Sequence, residues 1–157
     1  MSAANARGWT LLELMTVIGL LALVAALTGF GFGELLPGLH LRGAAQDLVL
    51  DLQYARWRAL AQNQYYRVVF SPGVGSYALE READNGGGRW PGQIEGTIRE
   101  FNNPHNPYYH PGIEVQQVSR NPIFSPRGSV TGATVVLRCG GLSKVITISS
   151  LGRVKVE

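Results

Sequence analysis

Arg7-Gly8-Trp9-Thr10-Leu11-Leu12-Glu13-Leu14-Met15-Thr16-Val17-Ile18-Gly19-Leu20-Leu21 begins an apolar run that continues to Phe32 and carries one carboxylate, Glu13, near its start. Before it, residues 1–8 form a short polar leader whose one charged residue is Arg7. About 20 helical residues at 1.5 Å each match a hydrocarbon core of roughly 30 Å, so Leu14 to Gly33 is expected to enter a membrane as a helix. A plain secretory signal fits poorly. Its apolar region is usually about 7–15 residues long and ends in a small-residue cleavage motif. A charge in a bilayer costs on the order of 2.5–3.5 kcal/mol, so Glu13 needs a partner. Arg7, six residues earlier, lies off the helical face. Cleavage between Gly8 and Trp9 would create an α-amino group close to Glu13. The two would form a buried pair within or between subunits, and breaking such a pair leaves an uncompensated charge.

Further along, Gly29, Gly31, Gly33 and Pro37-Gly38 make the weakest helical stretch in the chain. Glycine costs about 1 kcal/mol and proline about 3 in a helix interior, so a flexible or locally unwound joint is expected there. Gly29 and Gly33 also form a G-x-x-x-G, which can pack membrane helices. Helical periodicity resumes at Leu39 and runs to about Asn63. Leu41, Ala45, Leu48, Leu52, Ala55 and Ala59 make one apolar stripe. Arg42, Gln46, Asp51, Gln53 and Arg56 fall largely off it and are assigned to a solvated face.

From Tyr65 the period changes to two. Strands are expected at Tyr65 to Phe70, Ser76 to Glu82, Ile94 to Phe101, Ile113 to Val118, Ile123-Phe124, Ala133 to Cys139, Lys144 to Ser149 and Arg153 to Val156. Turns are expected at Ser71 to Gly75 and Gly140-Gly141, with loops at Asp84 to Gly88 and Asn102 to Gly112. One long helix followed by this many strands is an α+β layout, the helix packed on a β-sandwich or a pair of sheets. The expected organisation is a leader over 1–8, a transmembrane and assembly helix over 9–36, an amphipathic helix over 37–63 and a β-rich head over 64–157.

In 157 residues there is room for one domain plus an appendage, and the net charge of +3 is too small to argue nucleic-acid binding from composition. A single cysteine, Cys139, excludes an intramolecular disulfide; its alternation with Val135 and Leu137 marks it as a buried apolar thiol. His105 and His110 lack further ligands at metal-site spacing, so no metal or cofactor is expected. Gly86-Gly87-Gly88 lacks the lysine and helix of a phosphate-binding loop. No catalytic constellation is present, and an enzyme is not expected.

Arg7-Gly8-Trp9-Thr10-Leu11-Leu12-Glu13-Leu14 resembles the class III signal of type IV pilins and type II secretion pseudopilins. That signal is a short basic leader, cut after glycine by a prepilin peptidase, with glutamate as the fifth mature residue. Its first mature residue is usually phenylalanine, where this chain has Trp9. The tail also bears a likeness: Ile123-Phe124-Ser125-Pro126-Arg127-Gly128, Val135-Val136-Leu137 and Val145 to Val156 are similar to the GspH/FimT-like minor pilin domain. Many members of that branch carry two cysteines, and this chain one. The resemblance implies a pilin-like fold, processing at Gly8/Trp9 with N-methylation, and assembly through Glu13. It implies a minor pilin that helps initiate or cap a filament, with other pilins or pseudopilins, the inner membrane and the peptidase as partners. Localisation would be a single pass in the inner membrane with the head outside, then the pilus or pseudopilus. Gly152-Arg153-Val154-Lys155 also matches a basic tail motif of family members acting in DNA uptake and natural transformation. Arg153 and Lys155 would lie on one side of a strand and contact phosphates, with Arg127, Arg138 and Lys144 as neighbours. The competing explanation is an edge strand whose cations block aggregation. Two other classes stay open: a minor pseudopilin of type II secretion, and a membrane-anchored binding protein outside any filament.

Overall fold

Two helices precede nine short strands in the computed structural model, which describes residues 10–29, 32–83 and 90–157. The leader, Gly8, Trp9 and the Asp84 to Gly88 loop lie outside the described residues. Two compact units make up the chain, residues 1–36 and 37–157.

Helix α1 spans Leu11–Gly29 and α2 spans Phe32–Gln62. The helix expected to resume at Leu39 therefore begins seven residues earlier and contains Pro37. A proline there removes the bond to the carbonyl four residues back, a cost of about 3 kcal/mol that the flanking helix carries. Of the membrane helix expected from Leu14 to Gly33, residues 14–29 lie in α1 and 32–33 in α2, and residues 30–31 lie outside the described residues. Among the described residues no helix is long and apolar enough to cross a membrane.

The α2 stripe forms as its spacing requires: Leu41, Ala44, Ala45, Leu48, Leu52, Ala55 and Ala59 are buried. Four of the seven are alanines, so the helix backbone can approach the sheets closely. Against it lie two antiparallel sheets. The first contains β1 (Tyr66–Ser71), β2 (Ser76–Arg81), β3 (Gln93–Ile94), β4 (Arg99–Glu100) and β6 (Ile123–Phe124). Its order is β3-β2-β1-β6, with β4 also pairing with β2. The second sheet is β5 (Ile113–Val118), β7 (Ala133–Cys139), β8 (Leu142–Ile148) and β9 (Val154–Val156), in that order.

Alternation sets which residues face α2: Tyr66, Val68 and Phe70 from β1, Ile113 and Val115 from β5, Val135 and Leu137 from β7, Ile146 and Ile148 from β8 are all buried. The β7–β8 hairpin turns at Gly140-Gly141, with Cys139 opposite Leu142 and Gly140 at φ +58°, a left-handed conformation that costs a side chain energy. The one strand expected over Ile94–Phe101 is instead two pieces, β3 and β4. Glu95 N still donates to Leu79 O at 2.8 Å, but residues 96–98 leave the ladder, and Arg99 Nη1 donates to Thr97 O at 2.6 Å and to Glu95 O at 3.3 Å.

Candidate functional site

Helix α1 starts at a cap that the residue types dictate. Thr10 Oγ1 accepts a hydrogen bond from the Glu13 backbone N–H at 3.2 Å, and Thr10 O accepts from the same N–H at 3.1 Å. Thr10-Leu11-Leu12-Glu13 thus has the T-x-x-E spacing of a capping box. Glu13 is exposed in the first turn, where the helix dipole favours a negative charge. The T-x-x-E spacing was not used in reading the sequence, and it supplies a second, local reason for an acid at this position. Beyond it the helix is apolar on every side and uncovered: Leu11, Leu12, Met15, Ile18, Leu20, Leu21 and Leu23 are all more than half exposed.

At the other end of the chain, Arg153 and Lys155 are exposed beside and within β9. Lys155 lies opposite Thr147 on the outer face of the second sheet, with Val154 and Val156 on the inner one. Lys155 Nζ is ion-paired to Glu157, which raises the lysine pKa and lowers that of the carboxyl. Lys144 pairs with Leu137 on the inner face of the same sheet and lines a groove beside α2, away from Lys155. Arg138 Nε donates to Gly140 O at 2.8 Å across the hairpin turn. The tail cations therefore share their sheet with Lys144 but not its face.

Two polar links, hidden from periodicity, fix the loops of the head to α2. Asp51, assigned to a solvated face, is only 7% exposed. Its carboxylate accepts Arg99 Nε at 2.8 Å and Tyr77 Oη at 2.9 Å. Burial pulls the Arg99 pKa down, but the hydrogen bond and charge of Asp51 outweigh it and the net shift is up. Burial, then the Asp51 charge and hydrogen bond, pushes the Tyr77 phenol well above its ordinary value, so it stays a donor. The Arg99 guanidinium also lies 5.3 Å from the centre of the Tyr108 ring. One turn earlier, His110 Nε2 sits 2.7 Å from Asp47 Oδ2. The imidazole covers Gly43 so closely that a Cβ there would lie 2.6 Å from its Cε1. His110, considered in the sequence only as a metal ligand and set aside, is thus a link that holds the Asn102 to Gly112 loop on α2. Within that loop Asn106 is buried and donates to Ile98 O at 2.7 Å.

Cys139 is buried, and burial pushes its thiol pKa up. Among the described residues no group of three or more His, Cys, Asp or Glu could hold a metal ion.

An apolar N-terminal helix followed by a long helix laid on antiparallel sheets defines the pilin-like class of filament subunits, which are structural proteins rather than enzymes. The chain belongs to the family of the type II transport protein GspH, whose model matches residues 44–152. It is 32% identical to the pilin-like protein PilA1 of Thermus thermophilus, over 96% of this chain and 98% of that one. Its fold is similar to the minor pseudopilin EpsH of the Vibrio cholerae type 2 secretion system (TM-score 0.57, 12% identity, 75% of this chain and 96% of that one). It is also similar to the type IV minor pilin FimU of Pseudomonas aeruginosa (TM-score 0.53, 21% identity, 74% and 87%).

Proposed function

We propose that this chain is a minor subunit of a type IV pilus-like filament, helping to initiate or cap assembly through its N-terminal helix. One observation carries the proposal: α1 is apolar all round and no part of its surface from Leu11 to Leu23 is covered. A helix of that kind is stable only in lipid or among other helices. The apolar segment would sit in the inner membrane with the head outside it, then transfer into the bundle of a filament. Prepilin peptidase would cut between Gly8 and Trp9, and the Trp9 amine, a candidate for N-methylation, would meet Glu13 of an adjacent subunit. The capping geometry at Thr10 supports the helical conformation that this meeting needs.

The mature N-terminus tests the processing step. After co-expression with a prepilin peptidase, mass spectrometry should find Trp9 first, and any other terminus removes it. Glu13→Gln keeps the capping hydrogen bond from its own backbone N–H but loses the charge. It should abolish co-assembly while leaving helix content unchanged; unimpaired assembly would refute the pairing. Type II secretion is the second reading, favoured by the family description itself. Loss of protein export without loss of pili in a deletion strain would select it. DNA contact through Arg153 and Lys155 has weaker support, because Glu157 already engages Lys155. Few phosphate contacts give weak, salt-sensitive binding. Equal DNA binding by Arg153→Gln/Lys155→Gln would exclude it.

A further inference from the structure

Of the edge strands described, β3 is only two residues long, and β9 borders a groove. On the far side of the second sheet, the β5 edge is occupied: Gly73 N donates to Val115 O at 3.1 Å and Asn102 Nδ2 to Ile113 O at 2.9 Å. In the first sheet, β6 is covered by the chain returning towards β7, with Thr131 N donating to Ile123 O at 2.8 Å. Strand β9 has no such cover. Val145 and Glu157 exchange both backbone bonds, and Ser149 N donates to Arg153 O, so these residues and Lys155 between them turn inward to β8. By antiparallel alternation, the backbone N–H and C=O of Val154 and Val156 point outward. An open edge of this kind is a template for another strand.

Beside that edge, α2 and the inner face of β8 and β9 enclose a groove of about 590 Å³. Its floor is apolar, with Leu50 62% and Val156 39% exposed. Two cations border it, Arg42 and Lys144, and neither is ion-paired among the described residues. The acid at the groove, Asp47, is already engaged by His110. We infer that β9 accepts an extended segment of a partner chain as a fifth strand of the second sheet. The segment would place an apolar side chain on Leu50 and Val156, and an acidic one, two residues away on the same face, between Arg42 and Lys144. Main-chain pairing supplies affinity in such strand addition, and the pockets for alternate side chains supply specificity. A second copy of β9 would be a poor occupant, since pairing antiparallel it would offer its own Val154 and Val156 to that face but no acid for Arg42 and Lys144.

The test needs no filament, so its failure is separable from failure of the assembly role. Fluorescent acetyl-Thr-Val-Thr-Glu-Thr-Val-Thr-amide is titrated into the full chain in detergent micelles and followed by anisotropy. Binding should weaken at least about tenfold when lysine replaces the peptide's glutamate, and the preference should reverse with Arg42→Glu/Lys144→Glu. Val156→Pro removes one outward donor and no ladder bond, so it should weaken binding by a similar factor without lowering the unfolding midpoint. Equal affinity for the two peptides, or no binding at all, would overturn the assignment, whatever the proline variant does. So would sedimentation of the chain as a dimer that Val156→Pro dissolves, since a second copy would then be the occupant.

Discussion

Replacing Asp51 with alanine should be among the costliest single changes in the head. Asp51 neutralises Arg99 and accepts the Tyr77 hydroxyl, with its own side chain and that of Arg99 about nine-tenths buried. Removing one member of a buried pair leaves the other charge uncompensated, typically a loss of about 3–5 kcal/mol. Tyr77→Phe removes one hydrogen bond to a charged acceptor and keeps the ring packed between Phe70 and Phe101, so its expected cost is about 1.5–3 kcal/mol. Because both changes act on one carboxylate, the double variant should lose less than the two costs added, by about 1 kcal/mol or more. Urea unfolding of the full chain in micelles, followed by tryptophan fluorescence, measures all three. With a slope of roughly 1.5 kcal/mol per molar urea, Asp51→Ala should lower the midpoint by about 2–3 M. Replacing the whole cluster is a different matter. Asp51→Leu/Arg99→Met/Tyr77→Phe exchanges it for apolar volume and should recover most of the loss, since a buried pair is often no more stabilising than a well-packed apolar substitute. If Asp51→Ala falls within about 1 kcal/mol of the parent, or the costs of the two single changes simply add, Asp51 is not the centre of the network.

Gly43→Ala should cost about 1–3 kcal/mol, because its methyl would meet the His110 ring; removing the ring in Gly43→Ala/His110→Ala should relieve most of that clash, and an unchanged cost would refute the contact. In a Cys139→Ala background, which removes the thiol whose raised pKa would otherwise cost stability from about pH 8.5, alkaline titration should leave stability flat below about pH 9, where both states keep their tyrosines protonated. Above it the unfolded phenols ionise first, because burial, followed by the nearby Glu95, pushes Tyr66 up to about 12, and Tyr77 is pushed up too. Each of the two should then subtract up to about 1.4 kcal/mol per pH unit, and Tyr77→Phe should roughly halve the slope of a midpoint-against-pH plot. Cys139, buried and with a raised thiol pKa, should react with Ellman's reagent at pH 8 about 100-fold more slowly in the native chain than in urea; comparable rates would mean the strand opens locally.

Where a short-range pattern determines structure, the sequence was enough. Strands β5, β6 and β7 have the ends that alternation assigns them, and the α2 stripe is buried at every expected position. These elements need only the period of their own side chains and a turn chemistry fixed by glycine. Failures fall where a residue's environment comes from far along the chain. Asp51 sits off an apolar stripe, and nothing within a helical turn reveals that Arg99, 48 positions away, will turn inward to meet it. The same inward turn explains why the strand expected over Ile94–Phe101 is broken. Once the guanidinium is buried, its Nη1 takes the carbonyls of Glu95 and Thr97, and past the Glu95 N–H, which still reaches Leu79 O, the chain no longer follows the β2 ladder. His110 escaped notice for a similar reason: its partner Asp47 and the glycine it covers lie more than 60 residues back.

The two units of the chain thus record different kinds of information. In residues 37–157 one core of apolar side chains is buried within the unit, and what periodicity could not reveal is completed by pairs such as Asp51–Arg99 and Asp47–His110. In α1 the same residue types find no such match: Leu11, Leu12 and Met15 are each at least two-thirds exposed. At roughly 25 cal/mol per Å² of apolar surface, one fully exposed leucine withdrawn from water is worth about 1.5–3 kcal/mol. Several such residues on every face of one helix leave a driving force that lipid or neighbouring helices can take up. A head with its own buried core and a helix without one are the two parts a subunit needs if it is to fold first and assemble afterwards.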